Sequence, residues 1–326
     1  MNVLRLRFRD RVEDFELKSF DELTIDEWER IARKPEKGEG KPEILERMFG
    51  IPTKYGAMIH DRQAMGLLSH YEAWISDHNR TMQMMRDVRD ACDACTDRRL
   101  ASIRDVWVKH RPAIKAVMVE GERYIVPQSL DTDVTYMQWS NLQVAIDRRA
   151  VAPDPDVEGD EGRPGTSTMQ FYAEVLAWML RTDGHELEWY DNGSLTEEAR
   201  FDHIYKTRPG VFRKARIADA IEVCAWLMMQ RSALEDEVAP GLPRQPGVAA
   251  AQVMAGQDYF TRRWGAYAQV AEPAIQFDTL RRIHGDRGMI NNYPAGAVIR
   301  HMGYLAERSR FDAATQRALL EQNSRT

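Results

Sequence analysis

The feature that most constrains this chain is a pattern that occurs twice. Near the N-terminus, Leu4, Leu6 and Phe8 alternate with Arg5, Arg7 and Arg9, and the alternation resumes at Phe15 and Leu17 after Arg9-Asp10-Arg11. A period of two with one wet face predicts a β-hairpin. Leu23-Thr24-Ile25-Asp26-Glu27-Trp28 follows. In the stretch 117–142, Val117 to Val119 and Tyr124 to Val126 flank Glu120-Gly121-Glu122, and a glycine-containing turn between β-branched and aromatic runs predicts a second hairpin. Val134-Thr135-Tyr136-Met137-Gln138-Trp139 follows that one.

The two tails share their offsets for a physical reason. Thr24 or Thr135 at a helix N-cap accepts from the amide three residues on, and Glu27 or Gln138 at that position reaches back to the N-cap amide. Leu23 or Val134 before the cap is placed to pack on Trp28 or Trp139, forming a hydrophobic staple. The expectation is a duplicated hairpin-plus-capped-helix unit, with both tryptophans in cores.

The remainder reads as helix. Pro42 opens and Gly50 closes a run carrying Ile44, Leu45, Met48 and Phe49. Ala64, Leu67, Leu68, Tyr71, Trp74 and Ile75 recur at helical spacing, and the pattern extends through Met82, Met85 and Val88 toward residue 108 as one long or broken helix. Phe171 to Met179, Ile217 to Met228, Val253 to Ala271 and Val298 to Leu305 mark four more, with a polar tail after Phe311 expected to fray. The fold class is therefore α+β, mainly α.

Three stretches read as linkers: 35–42, the acidic 151–168 and 235–247, each rich in Pro, Gly or charge. They predict three sections. Residues 1–110 hold the first hairpin and its helices. Residues 111–234 hold the second unit, interrupted by the acidic linker, and 248–326 form a C-terminal helical section.

A net charge of −6 offers no basic excess for a phosphate backbone, which argues against nucleic acid as the main partner. Of 45 basic residues only nine are Lys; base composition explains that bias more simply than selection of Arg for bidentate contacts. No apolar run reaches a membrane span, and MNVLRLRFRD does not read as a signal peptide. Three cysteines in a chain of 326 residues make no disulfide framework, so a reducing cytoplasm is expected.

No motif predicts chemistry. Cys92-Asp93-Ala94-Cys95 lacks the second ligand pair that zinc needs, and it sits in a charged helical pattern. His60, His70 and His78 have no ligand spacing, and phosphate loops and nucleophile elbows are absent. No catalytic, metal or cofactor residue is expected, and no cofactor. Interaction surfaces are the better candidates: Met82 and Met85 as an adaptable patch, and Trp189, Tyr190, Trp264 and Tyr267 as aromatic anchors.

The N-terminal hairpin leading into Leu23 to Trp28, its recurrence at mid-chain, and the helix carrying Trp264-Gly265-Ala266-Tyr267 together resemble tailed-bacteriophage tail-assembly or virion-associated structural proteins. That resemblance implies a non-enzymatic protein of tail or neck morphogenesis. It implies other phage structural proteins, or further copies of itself, as partners, and host cytoplasm or the virion as its place. A regulatory or host-directed binding module and an unrecognised enzyme stay open as alternatives.

Overall fold

Both repeated tails begin helices by the expected chemistry. In the computed structural model, which describes residues 2–7, 12–33, 35–95, 100–110, 114–150, 167–182, 206–238 and 294–323, Thr24 Oγ1 accepts from the Glu27 amide at 3.2 Å and Glu27 Oε2 from the Thr24 amide at 2.9 Å. Thr135 Oγ1 accepts from the Gln138 amide at 3.3 Å, and Gln138 Oε1 from the Thr135 amide at 3.1 Å. Leu23, Trp28, Val134 and Trp139 are all buried. The helices so started are α1 (Ile25–Ala32) and α6 (Tyr136–Ala150).

The chain forms two compact units, each gathered from three separated stretches. The first comprises Met1–Thr96, Arg104–Pro127 and Asn141–Met229. It opens with the antiparallel hairpin β1 (Asn2–Arg7) and β2 (Val12–Leu17), in which Leu4 faces Phe15 and Arg5 faces Asp14. Leu6 is buried beside Leu45, Ile51, Tyr55, Ile59 and Leu67, and Leu4, Phe15 and Leu17 pack against that cluster. The opposite hairpin face carries the Arg5–Asp14 ion pair, 2.7 Å long. Period-two alternation thus puts one face in the core and one in water, as the sequence pattern requires.

A 3-10 turn (Phe20–Glu22) leads to α1, then α2 (Lys41–Phe49), α3 (Thr53–Gly56) and α4 (Asp61–Asp93). Pro42 lies in the first turn of α2, and Gly50 ends it in the left-handed region at φ 66°. Helix α4 stops at Asp93, and α5 (Leu100–His110) follows, so the long apolar pattern is a broken helix. The inward-facing residues of α4 are Leu67, Tyr71, Trp74, His78, Thr81, Met85, Val88 and Cys92, at alternating steps of four and three, all buried or half-buried. This is the narrow seam of a coiled-coil-like helix, with most of the remaining circumference in water.

The second hairpin pairs β3 (Ala116–Val119) with β4 (Glu122–Ile125). Its turn is Glu120-Gly121, both at positive φ (51° and 89°), the two-residue geometry that suits the right-handed twist of a hairpin. Glu122 belongs to the strand and not to the turn. A third strand, β5 (Arg181–Thr182), extends the sheet on the β4 side. Helix α7 (Thr168–Met179) is buried continuously from Phe171 to Met179 and forms the core helix of this unit. Arg208 in α8 (Arg208–Phe212) brackets its C-terminus, donating to the carbonyls of Ala177 and Leu180 at 2.7 Å each. Helix α9 (Ile217–Val238) runs through 235–238, so the third expected linker does not start at Glu235. The linker stretches 151–166 and 239–247 lie outside the described residues.

The second unit comprises Asp97–Ile103, Gln128–Ser140 and Gln230–Thr326. Its Thr135 forms an isolated antiparallel bridge with Pro294 at the start of α10 (Ala295–Asn323), and the Ala295 amide donates to Val134 O at 2.7 Å. The first unit repeats the device. There Thr24 bridges Arg216 at the start of α9, and Ile217 N–H donates to Leu23 O at 2.9 Å. Both caps thus clasp a distant helix start through their threonine, although the second hairpin belongs to the first unit and its Thr135 cap to the second. Helix α10 continues to Asn323 where fraying was expected, and Met302 and Leu305 on it are exposed while Ile299 and Tyr304 are buried.

Candidate protein-binding site

The surface around α2 has the shape of a binding site. Helix α2 is short and half-exposed, and depressions lie on several of its sides. Its attachment to α1 explains why it stands as it does. Arg47 reaches from α2 to the end of α1, donating to the carbonyls of Arg30, Ile31 and Arg33 and to Glu39 Oε1 at 2.8 Å. These are the orphan carbonyls of a helix C-terminus, satisfied by a cation from another helix. The Arg47 bond in turn holds the Glu39 carboxyl below its ordinary range.

On one side of α2 a crevice of about 220 Å³ is walled by Trp74 and Phe49 and floored by Leu23 and Ile31. The two rings are 5.3 Å apart. The Trp74 indole N–H donates to Lys18 O at 2.9 Å, and Lys18 Nζ pairs with Glu27 at 2.7 Å. Burial pushes the Glu27 carboxyl up, but the Lys18 ammonium and the Thr24 amide outweigh it, and the group ends below its usual value. A second aromatic group lies further along α4, where His78 stacks on Trp28 at 4.9 Å with Phe20 edge-on. Burial lowers the His78 pKa, against a smaller opposing bond to Asn79, so the ring is neutral at pH 7.

On another side, between α2 and α4, lies an apolar groove of about 310 Å³. It is lined by Ile44, Leu45, Met48 and Phe49 from α2 and by Ala64, Met65, Leu67 and Leu68 from α4. Met65 is 62% exposed and Leu68 43%. Two helices presenting i and i+4 apolar pairs across a groove offer the surface that receives a third amphipathic helix. A wider, charged cleft of about 730 Å³ borders α2 beyond Arg47, with Glu43 and Glu46 on its wall.

The residues singled out from sequence fall differently. Thr24, Glu27, Thr135 and Gln138 form the two caps, and Trp28 and Trp139 are buried. Met85 is buried at 6% exposure and Met82 is half-buried, so Met85 belongs to the packed seam of α4 and not to a surface patch; the neighbouring Met84 is the methionine that faces water. The physical reason is phase, because Met85 sits in the four–three repeat and Met84 one residue off it. Trp189, Tyr190, Trp264 and Tyr267 lie outside the described residues. Cys92 is buried, and burial beside Asp93 and Cys95 pushes its thiol up to about 11. The groove residues Met65 and Leu68 were missed as a site; the signal was present, since Leu68 and Met65 fall off the α4 seam and so had to face something else.

Among the described residues no helix is long and apolar enough to cross a membrane, and no cluster of His, Cys, Asp and Glu could hold a metal. No protein-family model, curated protein or solved structure matches the chain.

Proposed function

We propose that this chain is a non-enzymatic assembly protein that works by binding other proteins, with the groove between α2 and α4 as its contact surface. The observation that carries this reading is the apolar lining of Ile44, Met48, Ala64, Met65 and Leu68, with Met65 and Leu68 left in water. A single helix packing its apolar face there would remove those side chains from solvent and gain about 25 cal/mol per Å² covered. The adaptable thioethers of Met48 and Met65 suit such a contact. The resemblance of the hairpin and capped-helix units to tailed-phage tail-assembly proteins supplies the setting. In that setting the partner is a tail or neck component that presents an amphipathic helix.

The test is co-expression with the structural proteins encoded beside it, followed by co-purification. The reading expects a stoichiometric complex with one of them that is lost in the double variant M65D/L68D while the isolated chain stays folded. Capture that is indifferent to both substitutions, or no complex with any neighbour, counts against it.

A further inference from the structure

The β1–β2 hairpin is a two-stranded sheet, so each strand is an edge. Among the described residues, no backbone group of either strand bonds to a backbone group of another element. Such open edges are templates for a further strand, which proteins blunt with bulges, prolines, charged side chains or a covering loop. Neither strand contains a proline, and their pairing is regular from Asn2↔Leu17 to Arg7↔Val12.

The two edges have opposite charge. Strand β1 carries two arginines and no acid, and β2 carries Glu13, Asp14 and Glu16 and no base. Within one chain this asymmetry already produces the bidentate Arg5–Asp14 pair, at 2.7 and 2.9 Å, on the exposed face. A strand that recognises β1 must be acidic at alternate positions and antiparallel, and β2 meets that description. Val3 and Val12, each 49% exposed, lie on the same face.

We propose that the hairpin docks a second copy of this chain, β1 of one copy pairing antiparallel with β2 of the next, with Arg5 set opposite the neighbouring copy's Asp14. The contact uses two different edges, so it is head-to-tail. Repetition then closes a ring or propagates a filament, according to the rotation between copies. This deepens the protein-binding reading by naming the chain itself as one partner, through a surface separate from the α2–α4 groove.

The test is light scattering of the full chain across a concentration series. Wild type is expected to reach multiples of the 37.6 kDa chain mass. R5E sets an acid against Asp14 and D14R sets a base against Arg5, so in each variant the paired positions carry like charge and each alone is expected to stay a lone chain. An equimolar mixture is expected to associate again, because the acid at position 5 of one variant faces the base at position 14 of the other, although the pair inside each chain stays broken. Circular dichroism checks that both variants fold. Should either charge reversal unfold the hairpin, R5Q carries the comparison and is expected to weaken self-association at least tenfold. A wild type that stays at 37.6 kDa at every concentration, a mixture that does not associate, or an R5Q chain that associates like wild type overturns the proposal. The groove variant M65D/L68D is expected to assemble normally, so a failed partner capture and a failed self-assembly are distinguishable.

Discussion

The carbonyl of Lys18 accepts the Trp74 indole N–H at 2.9 Å, and His70 Nε2 lies 3.0 Å from the same oxygen. Lys18 is the first residue past β2, so this one carbonyl ties the hairpin to the middle of α4. Trp74→Phe keeps the ring and removes the donor. Loss of one buried hydrogen bond together with the smaller ring is expected to cost about 1–2 kcal/mol, read as a lower urea midpoint with an unchanged slope.

The two capping boxes differ in one atom type, and pH separates them. The Glu27 carboxyl lies below its ordinary value of 4.5 in the folded chain. Its contribution is therefore fully present above 4.5 and is lost as pH falls through the lower folded value. Glu27→Gln is expected to lower the urea midpoint at pH 7, with the gap to wild type closing as pH falls below the ordinary value of 4.5. Thr24→Ala and Thr135→Ala are each expected to cost about 1 kcal/mol. The Thr135 box, whose partner is the neutral Gln138, is expected to show no such pH dependence.

Gly296, in the first turn of α10, has no room for a side chain. A Cβ there would lie 1.8 Å from Asp131 Oδ1 and 2.9 Å from Asp131 Cα. Asp131 cannot swing aside freely, because it holds Arg300 at 2.6 and 3.0 Å. Gly296→Ala is expected to destabilise by about 3 kcal/mol. Gly210→Ala in α8 meets nothing within 4 Å and is expected to be neutral or stabilising by up to about 1 kcal/mol. Thermal melts of the pair check both.

Cysteine labelling reads out burial directly. Cys95 is half-exposed, Cys92 is buried with its thiol pushed up to about 11, and Cys224 is buried with its thiol raised further by desolvation. Iodoacetamide at pH 8 is expected to modify Cys95 in the folded chain and all three cysteines in urea. Peptide mass spectrometry gives the order, and equal rates for Cys92 and Cys95 would contradict the packing of α4.

The caps were legible in the sequence because they are local: Thr24, Glu27 and Trp28 interact within one helical turn, and so do Thr135, Gln138 and Trp139. What each capped helix start is clasped to was not legible. Arg216 and Pro294 carry no pattern that announces a bridge, since the contact depends on where the intervening chain returns. The same holds for Arg47 and Arg208. The excess of arginine read as a compositional bias or an interface preference, whereas these two serve as brackets over the C-terminal carbonyls of helices they are not part of. Met85 reads as a surface patch on the adaptability of methionine alone, whereas its place in the apolar repeat with Val88 is the buried one. The groove goes unread when Leu68 is counted with the buried pattern and Met65 is not placed, although both fall off the seam.

The clasp on the first cap also sets a timetable. Arg213, which pairs with Asp26 and Glu29 beside the Thr24 bridge, is made 187 residues after Asp26. At a synthesis rate of roughly 5–20 residues per second, the first hairpin and α1 leave the ribosome on the order of 10–40 s before Arg213 exists. During that interval the hairpin and the residues that bury its inner face, through Leu67, are all made, so its oppositely charged edges are available to neighbouring nascent chains on one polysome before the rest of the unit exists.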